Sequence, residues 1–498
     1  MAAVYTPRMS MLDATRAAVA ALARREGVDY CDARYQADEV EQLYLRDDEV
    51  DRLARTRRAG FGVRVLYQGA WGFAAEPGAA DDLAAATRAA EAALATARAA
   101  ATVNTVRVRL AEEPPQEGCF TTPIARDPFT VPLAEKLADL RAVIAALRSG
   151  ADPRVKSATA RAEFRRIDKA FASSEGSAVE QHLWHGAAGM QVTVAEGDVL
   201  ERRSDPMDHG GRVAARGYEL VGSLDLAGRA AALREEALAL LGAPPCPAGK
   251  TTVILVPSQL ALQIHESCGH PTESDRAMGE EISLAGGSFL TPDRQGRFRY
   301  GSAHVNLVAD ALTPGAPATH GWDDEGVPAR RTPLVSRGQF VGYLSSRETA
   351  ARLGLGRSAG CLRAENYARP PIIRMINVSM EPDPRGPTLA ELIADTDDGI
   401  LMGSNKSWSI DDLRLNFQFG CEVAWEIRRG KRTRLLRRPI YTGITPRFWG
   451  GCDAVGSGAD FEMHGFLTCG KGDPMQTMWV GHGCPPARFR DVEVGSGA

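Results

Sequence analysis

The sequence predicts an α+β protein: an N-terminal α/β-layered region with antiparallel strands and long helices, then a mostly antiparallel β C-terminal domain carrying a helix with a metal-site motif. Three observations carry this. Alanine-rich helical stretches recur in the first half. Between them lie short runs with strand-like spacing, bounded by turn residues. From Lys250 onward strands and glycine-bearing loops take over, interrupted by few helices. At 498 residues the chain is too long for one core. The predicted units are an α+β domain over 1–103, a middle α+β region over 104–243 and a mostly β domain over 250–498.

Taken in order, the first 27 residues read as an amphipathic helix, without the apolar core and small-residue cleavage site of a secretory leader. Segments 30–35, 41–46, 49–57 and 60–67 have the spacing of short antiparallel strands, with Asp47-Asp48 and Arg58-Ala59-Gly60 as turns. An alanine-rich helix follows over 81–101. The stretch 112–127, with Pro114, Pro115 and Pro123, reads as loop. A helix over 131–149 precedes two or three strands through about residue 201, with 172–178 as a hairpin turn. A further helix, 226–241, stops at Gly242-Ala243-Pro244-Pro245. In the last half, helices are predicted over 258–269 and 388–395, the latter before a strand at 399–402.

Composition excludes several classes of protein. Hydrophobic residues make up 44% and charged residues 24%, ordinary for a globular protein. A net charge of −4 gives no bulk attraction to nucleic acid or membrane. The arginine-rich 428–438 run reads as a solvated strand or turn. No run of about 18 apolar residues suggests a membrane span. Nine scattered cysteines, without a CxxC pair and odd in number, argue for free thiols and a cytoplasmic protein.

Chemistry concentrates in His265-Glu266-Ser267-Cys268-Gly269-His270, soon after the apolar run Thr251 to Val256. Neutral imidazoles are good zinc ligands, and a neighbouring carboxylate can take a proton from water at the metal. The zincin motif places its histidines four residues apart; here the gap is five. On a straight α-helix, residues five apart point about 140° away from each other, against about 40° for residues four apart. Sharing a metal therefore requires either a π-bulge or a helix ending at Gly269 with His270 extended. Pro271 disfavours α geometry at His270, so a distorted or ending helix is expected. Glu266 is placed for general-base work. Cys268 reads as a packed small residue. Spacing alone does not separate a metal pair from a polar helix end.

A hydrolytic zinc site needs a third protein ligand and an open position. The candidates are Glu273, Asp275, His304, His320, His464, Cys469, His482 and Cys484. Cys469, in the glycine-bearing loop Thr468-Cys469-Gly470-Lys471-Gly472, is the most suggestive. A buried cysteine in a turn is the competing reading.

These residues resemble the TldD/PmbA family of metalloproteases, in its catalytic TldD-like branch. The resemblance rests on HESCGHPTESD and on the Cys-Gly-Lys block TCGKGDPMQTMWVGHG. It extends through Asp323-Asp324-Glu325-Gly326, Arg369-Pro370-Pro371-Ile372 and Asp397-Asp398-Gly399-Ile400, and through N-terminal and middle blocks, to nearly the whole chain. Pro271 and the aromatic segments 448–452 and 475–479 depart from the family pattern. The resemblance implies a Zn2+ ion held by His265, His270 and Cys469, with Glu266 as catalytic carboxylate. It implies hydrolysis of unfolded or modified peptides bound as extended strands, for leader removal or peptide degradation. It also implies a homodimer, or a heterodimer with a TldE/PmbA-like chain. The alternative is a non-catalytic PmbA-like partner or peptide-binding regulatory subunit, for which those four side chains would be unnecessary.

Overall fold

The computed structural model describes residues 10–208, 210–284 and 286–497; the start of the predicted N-terminal helix lies outside them. The first half is organised around an eight-stranded sheet. Four of its strands, Val28–Arg46, Glu49–Tyr67, Val155–Ser173 and Ala178–Glu196, are each 19 residues long. The four short strands expected before residue 67 are thus two long ones. Asp47, in left-handed conformation, turns the chain between them, while Ala59-Gly60 pairs within the second strand. Because Val28–Arg46 pairs with Val155–Ser173, one sheet runs through both N-terminal regions.

Strand alternation sorts this sheet into two faces. On one, Cys31, Ala33 and Phe61 pack beneath the helices Met11–Ala23 and Leu83–Ala101. Farther along the same face, Leu43, Ala160, Phe164 and Val192 pack beneath Leu133–Leu147 and Leu226–Gly242. The opposite face is polar yet buried: Asp32, Arg34, Gln36, Asp38 and Arg165. It is covered by the C-terminal half. Arg34 donates to the carbonyls of Asn366 and Arg369, and Gln36 and Arg165 to that of Glu365. Lys169 pairs with Asp324 at 2.9 Å. Residues 112–127, expected as loop, include the strand Glu117–Thr121, which pairs in parallel with Ala178–Glu196.

In the C-terminal half, five strands close on themselves. Asp398–Ile410 pairs in parallel with Gly249–Leu255, which leads through Ala487–Ser496, Pro439–Ile444 and Asn416–Arg428 back to Asp398–Ile410. All the other pairings around this ring are antiparallel, which removes exposed sheet edges. The arginine-rich run forms the end of one strand, a turn and Lys431–Leu436, with its charged side chains mostly exposed. The helical turn Ser274–Ala277 went unanticipated here, as did the short helices Arg347–Leu353 and Thr445–Gly450. The last of these carries Phe448 and Trp449 into the core, so that aromatic departure fills space inside the domain.

Candidate metal centre

The motif grows from the barrel strand Gly249–Leu255. Pro257 opens the helix Pro257–Ile264 at its first position, where a missing N–H costs nothing. From His265 to Gly269 the helix widens to π geometry, and the His270 N–H donates to the His265 carbonyl five residues back. Of the two devices that would bring the histidines together, the π-turn is the one present. His270 stays in right-handed helical conformation, φ −60° and ψ −47°, as the first residue of a tight 3₁₀ turn, His270–Thr272, with Pro271 second. The two imidazole rings stand 4.7 Å apart, nearly perpendicular.

A widened turn displaces main-chain bonds, and side chains satisfy the exposed groups here. Ser267 Oγ donates to the Gln263 carbonyl, and Tyr300 donates to the Ser267 carbonyl at 2.8 Å. Trp449 Nε1 donates to Ser267 Oγ at 2.9 Å. Thr272 Oγ1 reaches the carbonyls of Cys268 and Gly269. Gly269 touches Met375 so closely that a Cβ would lie 2.1 Å from its sulfur.

The hairpin Glu462–Lys471/Gln476–Cys484 packs against this helix. Cys469 lies on its first strand, paired with Met478 just past a register shift, rather than in a loop as expected. One donor atom each from His265, His270 and Cys469 lies within 4.8 Å of the others. Sγ of Cys469 is 3.9 Å from His270 Nε2. All three residues are buried.

Hydrogen bonds fix which nitrogens face this space. The His482 Nδ1–H donates to the Val378 carbonyl at 2.8 Å, leaving Nε2 as an acceptor. His265 Nδ1 lies 2.8 Å from that Nε2 and must therefore be its donor. The nitrogen of His265 suited to a metal is then Nε2. His270 Nδ1 lies 3.1 Å from Glu273, which orients its Nε2 toward Cys469 in the same way. Burial works against the Glu273 carboxylate, but Lys471, His270 and Arg276 outweigh it and hold the group well below its ordinary pKa. Burial lowers His270, keeping it neutral. For Cys469, burial pushes the thiol up, yet Arg374 and His270 outweigh it, and the thiol is held below its ordinary pKa. Arg374 also donates to the Cys469 carbonyl. A soft thiolate and two neutral imidazoles form a donor set that suits zinc.

The other nominated residues take different places. Glu273 and His482 support the two histidines, and Asp275 pairs with Lys471 at 2.7 Å. His464 faces Glu462 at 3.2 Å, and the Cys484 thiol faces the Pro257 carbonyl. His304 is exposed, and His320 is buried with its Nδ1 against the Ala318 carbonyl. Glu266 is buried and accepts a 2.6 Å bond from Arg414 Nη1. Nothing in the sequence signalled Arg414, a left-handed residue in the turn after Asp398–Ile410. The structure also places Met478 and Trp479 in the interior, whereas Met475 is exposed.

Comparison with known proteins sets this geometry in a family. Three models match consecutive parts of the chain: PmbA/TldA metallopeptidase domain 1 over 31–97, the central domain over 126–241 and the C-terminal domain over 248–496. The chain belongs to the PmbA/TldD metallopeptidase family. A metalloprotease of Synechocystis sp. is 31% identical over 94% of this chain and 95% of its own length. A zinc metalloprotease TldD homolog of Saccharolobus solfataricus is 23% identical over 94% and 97%. Among solved structures, TldE from Thermococcus kodakarensis matches with a TM-score of 0.71 at 16% identity, covering 96% of this chain and 99% of that one. A Thermotoga maritima protein described as a DNA gyrase modulator gives a TM-score of 0.75, also at 16% identity, with coverage of 96% and 99%. These structural likenesses establish a shared fold.

Proposed function

We propose that this chain is a zinc-dependent peptidase of TldD type, acting on unfolded or modified peptides for leader removal or peptide degradation. The observation that carries the proposal is the convergence of His265, His270 and Cys469 beside Glu266, in a chain of a metallopeptidase family. The two Nε2 atoms and the thiolate would hold the ion. When bound, zinc supplies Lewis acidity and makes water a better acid. Glu266 takes the proton from the attacking water and returns it to the leaving amine. Arg414 holds the Glu266 carboxylate in one orientation. Burial of the site limits access to extended chain, and main-chain pairing to a strand edge gives affinity with little side-chain selectivity.

The active assembly is a dimer, either of this chain or with a TldE/PmbA-like chain, and it works in the cytoplasm. Free thiols and the absence of any helix long and apolar enough to cross a membrane, among the described residues, are in keeping with that placement. The test is digestion of a peptide library followed by mass spectrometry. Glu266→Ala is expected to lower cleavage at least about 100-fold while zinc content is unchanged. Undiminished cleavage by that variant would contradict the mechanism. Wild-type chain with neither zinc nor cleavage would point to the non-catalytic partner.

A further inference from the structure

We propose a second metal site, for a zinc-class divalent cation, at Cys119, Glu180 and His182. One donor atom from each lies within 4.8 Å of the other two. The sheet builds this arrangement. Cys119 on Glu117–Thr121 is the register partner of Glu180 on Ala178–Glu196, and His182 is two residues on, on the same face. From the next strand, Asp168 is the register partner of His182. Its Oδ1 lies 2.6 Å from His182 Nδ1. That contact makes Nδ1 the protonated nitrogen and leaves Nε2 as the metal-binding one. The same carboxylate–histidine device orients His270 at the first site.

Apolar clusters flank these residues on the same face, which also carries Glu39 paired with Arg55 and Arg57. Ala170 and Ala172 lie with the first helix pair, and Ala160 and Phe164 with the second. Cys119, Glu180, His182 and Asp168 occupy the gap between the pairs, where solvent reaches them: Cys119 is exposed, and Glu180 and His182 are half-buried. Arg166, a cation on this face, pairs with the supporting Asp168. Its guanidinium sits over the Trp184 ring and 3.0 Å from the second oxygen of Asp168. With a thiolate at Cys119, the groups Cys119, Glu180 and Asp168 are all anionic, and among the described residues only Asp168 is paired, with Arg166. Sulfur, imidazole and carboxylate together favour zinc over magnesium or calcium. Three protein ligands leave a fourth position open to water or to a donor from another molecule. Binding expels the thiol proton and ties the edge strand to the sheet centre.

The test is metal analysis of the full chain after zinc loading and removal of loosely held ion. Cys119→Ser is expected to hold one equivalent less than wild type, whatever the total, so failure of the first site would not mask the result. Cobalt loading gives a second reading. The thiolate-to-cobalt absorption of a Cys469→Ser chain should persist and should vanish in Cys469→Ser/Cys119→Ser. His182→Ala should abolish it, and Asp168→Asn should weaken cobalt binding about 10- to 100-fold. Equal zinc content in wild type and Cys119→Ser, or no thiolate–cobalt absorption without Cys469, would overturn the proposal. Should Cys469→Ser fail to fold, the zinc difference between wild type and Cys119→Ser decides alone.

Discussion

His265 and His270 can turn their Nε2 atoms toward Cys469 because both Nδ1 atoms are engaged, one by His482 and one by Glu273. Neither supporting residue is a nearest donor in the cluster, yet each selects a tautomer. His482→Ala and Glu273→Gln are therefore expected to weaken zinc binding about 10- to 100-fold, measured by competition with a chromophoric chelator. Unchanged affinity in both would show that the relay does not matter. Arg414→Met should leave zinc content intact and lower the peptide-cleavage kcat about 10-fold or more, since it frees the Glu266 carboxylate to rotate. Equal kcat would remove Arg414 from the account. At this scale the two histidines and Glu266 were legible together because they are neighbours in the chain. Cys469 lies 199 residues from His270, so its approach depends on hairpin register. Local reading nominated it as the most suggestive of eight candidates, and the family resemblance chose it. His482 was nominated as a ligand, because residue type alone does not separate a ligand from its support.

The π-turn is the element on which the centre depends. Its five-residue gap was visible in the sequence and required a distorted helix. The form of the distortion was not visible. It is decided by Tyr300 and Trp449, from distant elements, and by Thr272 in the next turn, which satisfy displaced main-chain and serine groups. Pro271 fits as the second residue of a new turn starting at His270, which the local preference of the preceding residue did not foretell. Gly269→Ala places a methyl group against Met375 and should cost about 1–3 kcal/mol of stability, together with loss of zinc affinity. Denaturant unfolding and the chelator titration measure the two effects. A variant as stable as wild type would mean that the turn has room to spare. Strand lengths show the same limit of local reading. The first strand was broken between residues 35 and 41 and the second at Arg58-Ala59-Gly60, whereas cross-strand pairing carries both through 19 residues.

Across the whole molecule, the N-terminal sheet carries helices on one face and the C-terminal half on the other. The layer between the sheet and the C-terminal half is polar and buried, built from Asp32, Arg34, Gln36, Asp38 and Arg165, and residue type alone does not separate such an interface from a solvated face. His185 and His320 lie buried at this junction. Burial, with Arg165 and Arg363 nearby, lowers His185 to about 3 and His320 to about 4. Exposed histidines titrate near about 6.5, so the unfolded chain binds more protons between these limits. Their contribution to stability is present above pH about 6.5 and is lost as pH falls through the lowered values. The melting temperature should therefore drop on acidification from neutral pH toward pH 4, and drop less in a His185→Gln/His320→Gln chain. An identical pH profile in the double variant would rule out this origin. The central claim, that one zinc ion is held by His265, His270 and Cys469, is tested most directly by anomalous diffraction at the zinc edge from crystals of the metal-loaded chain. A peak is expected within bonding distance of both Nε2 atoms and Cys469 Sγ; a zinc-loaded crystal with no peak among those three atoms would contradict it.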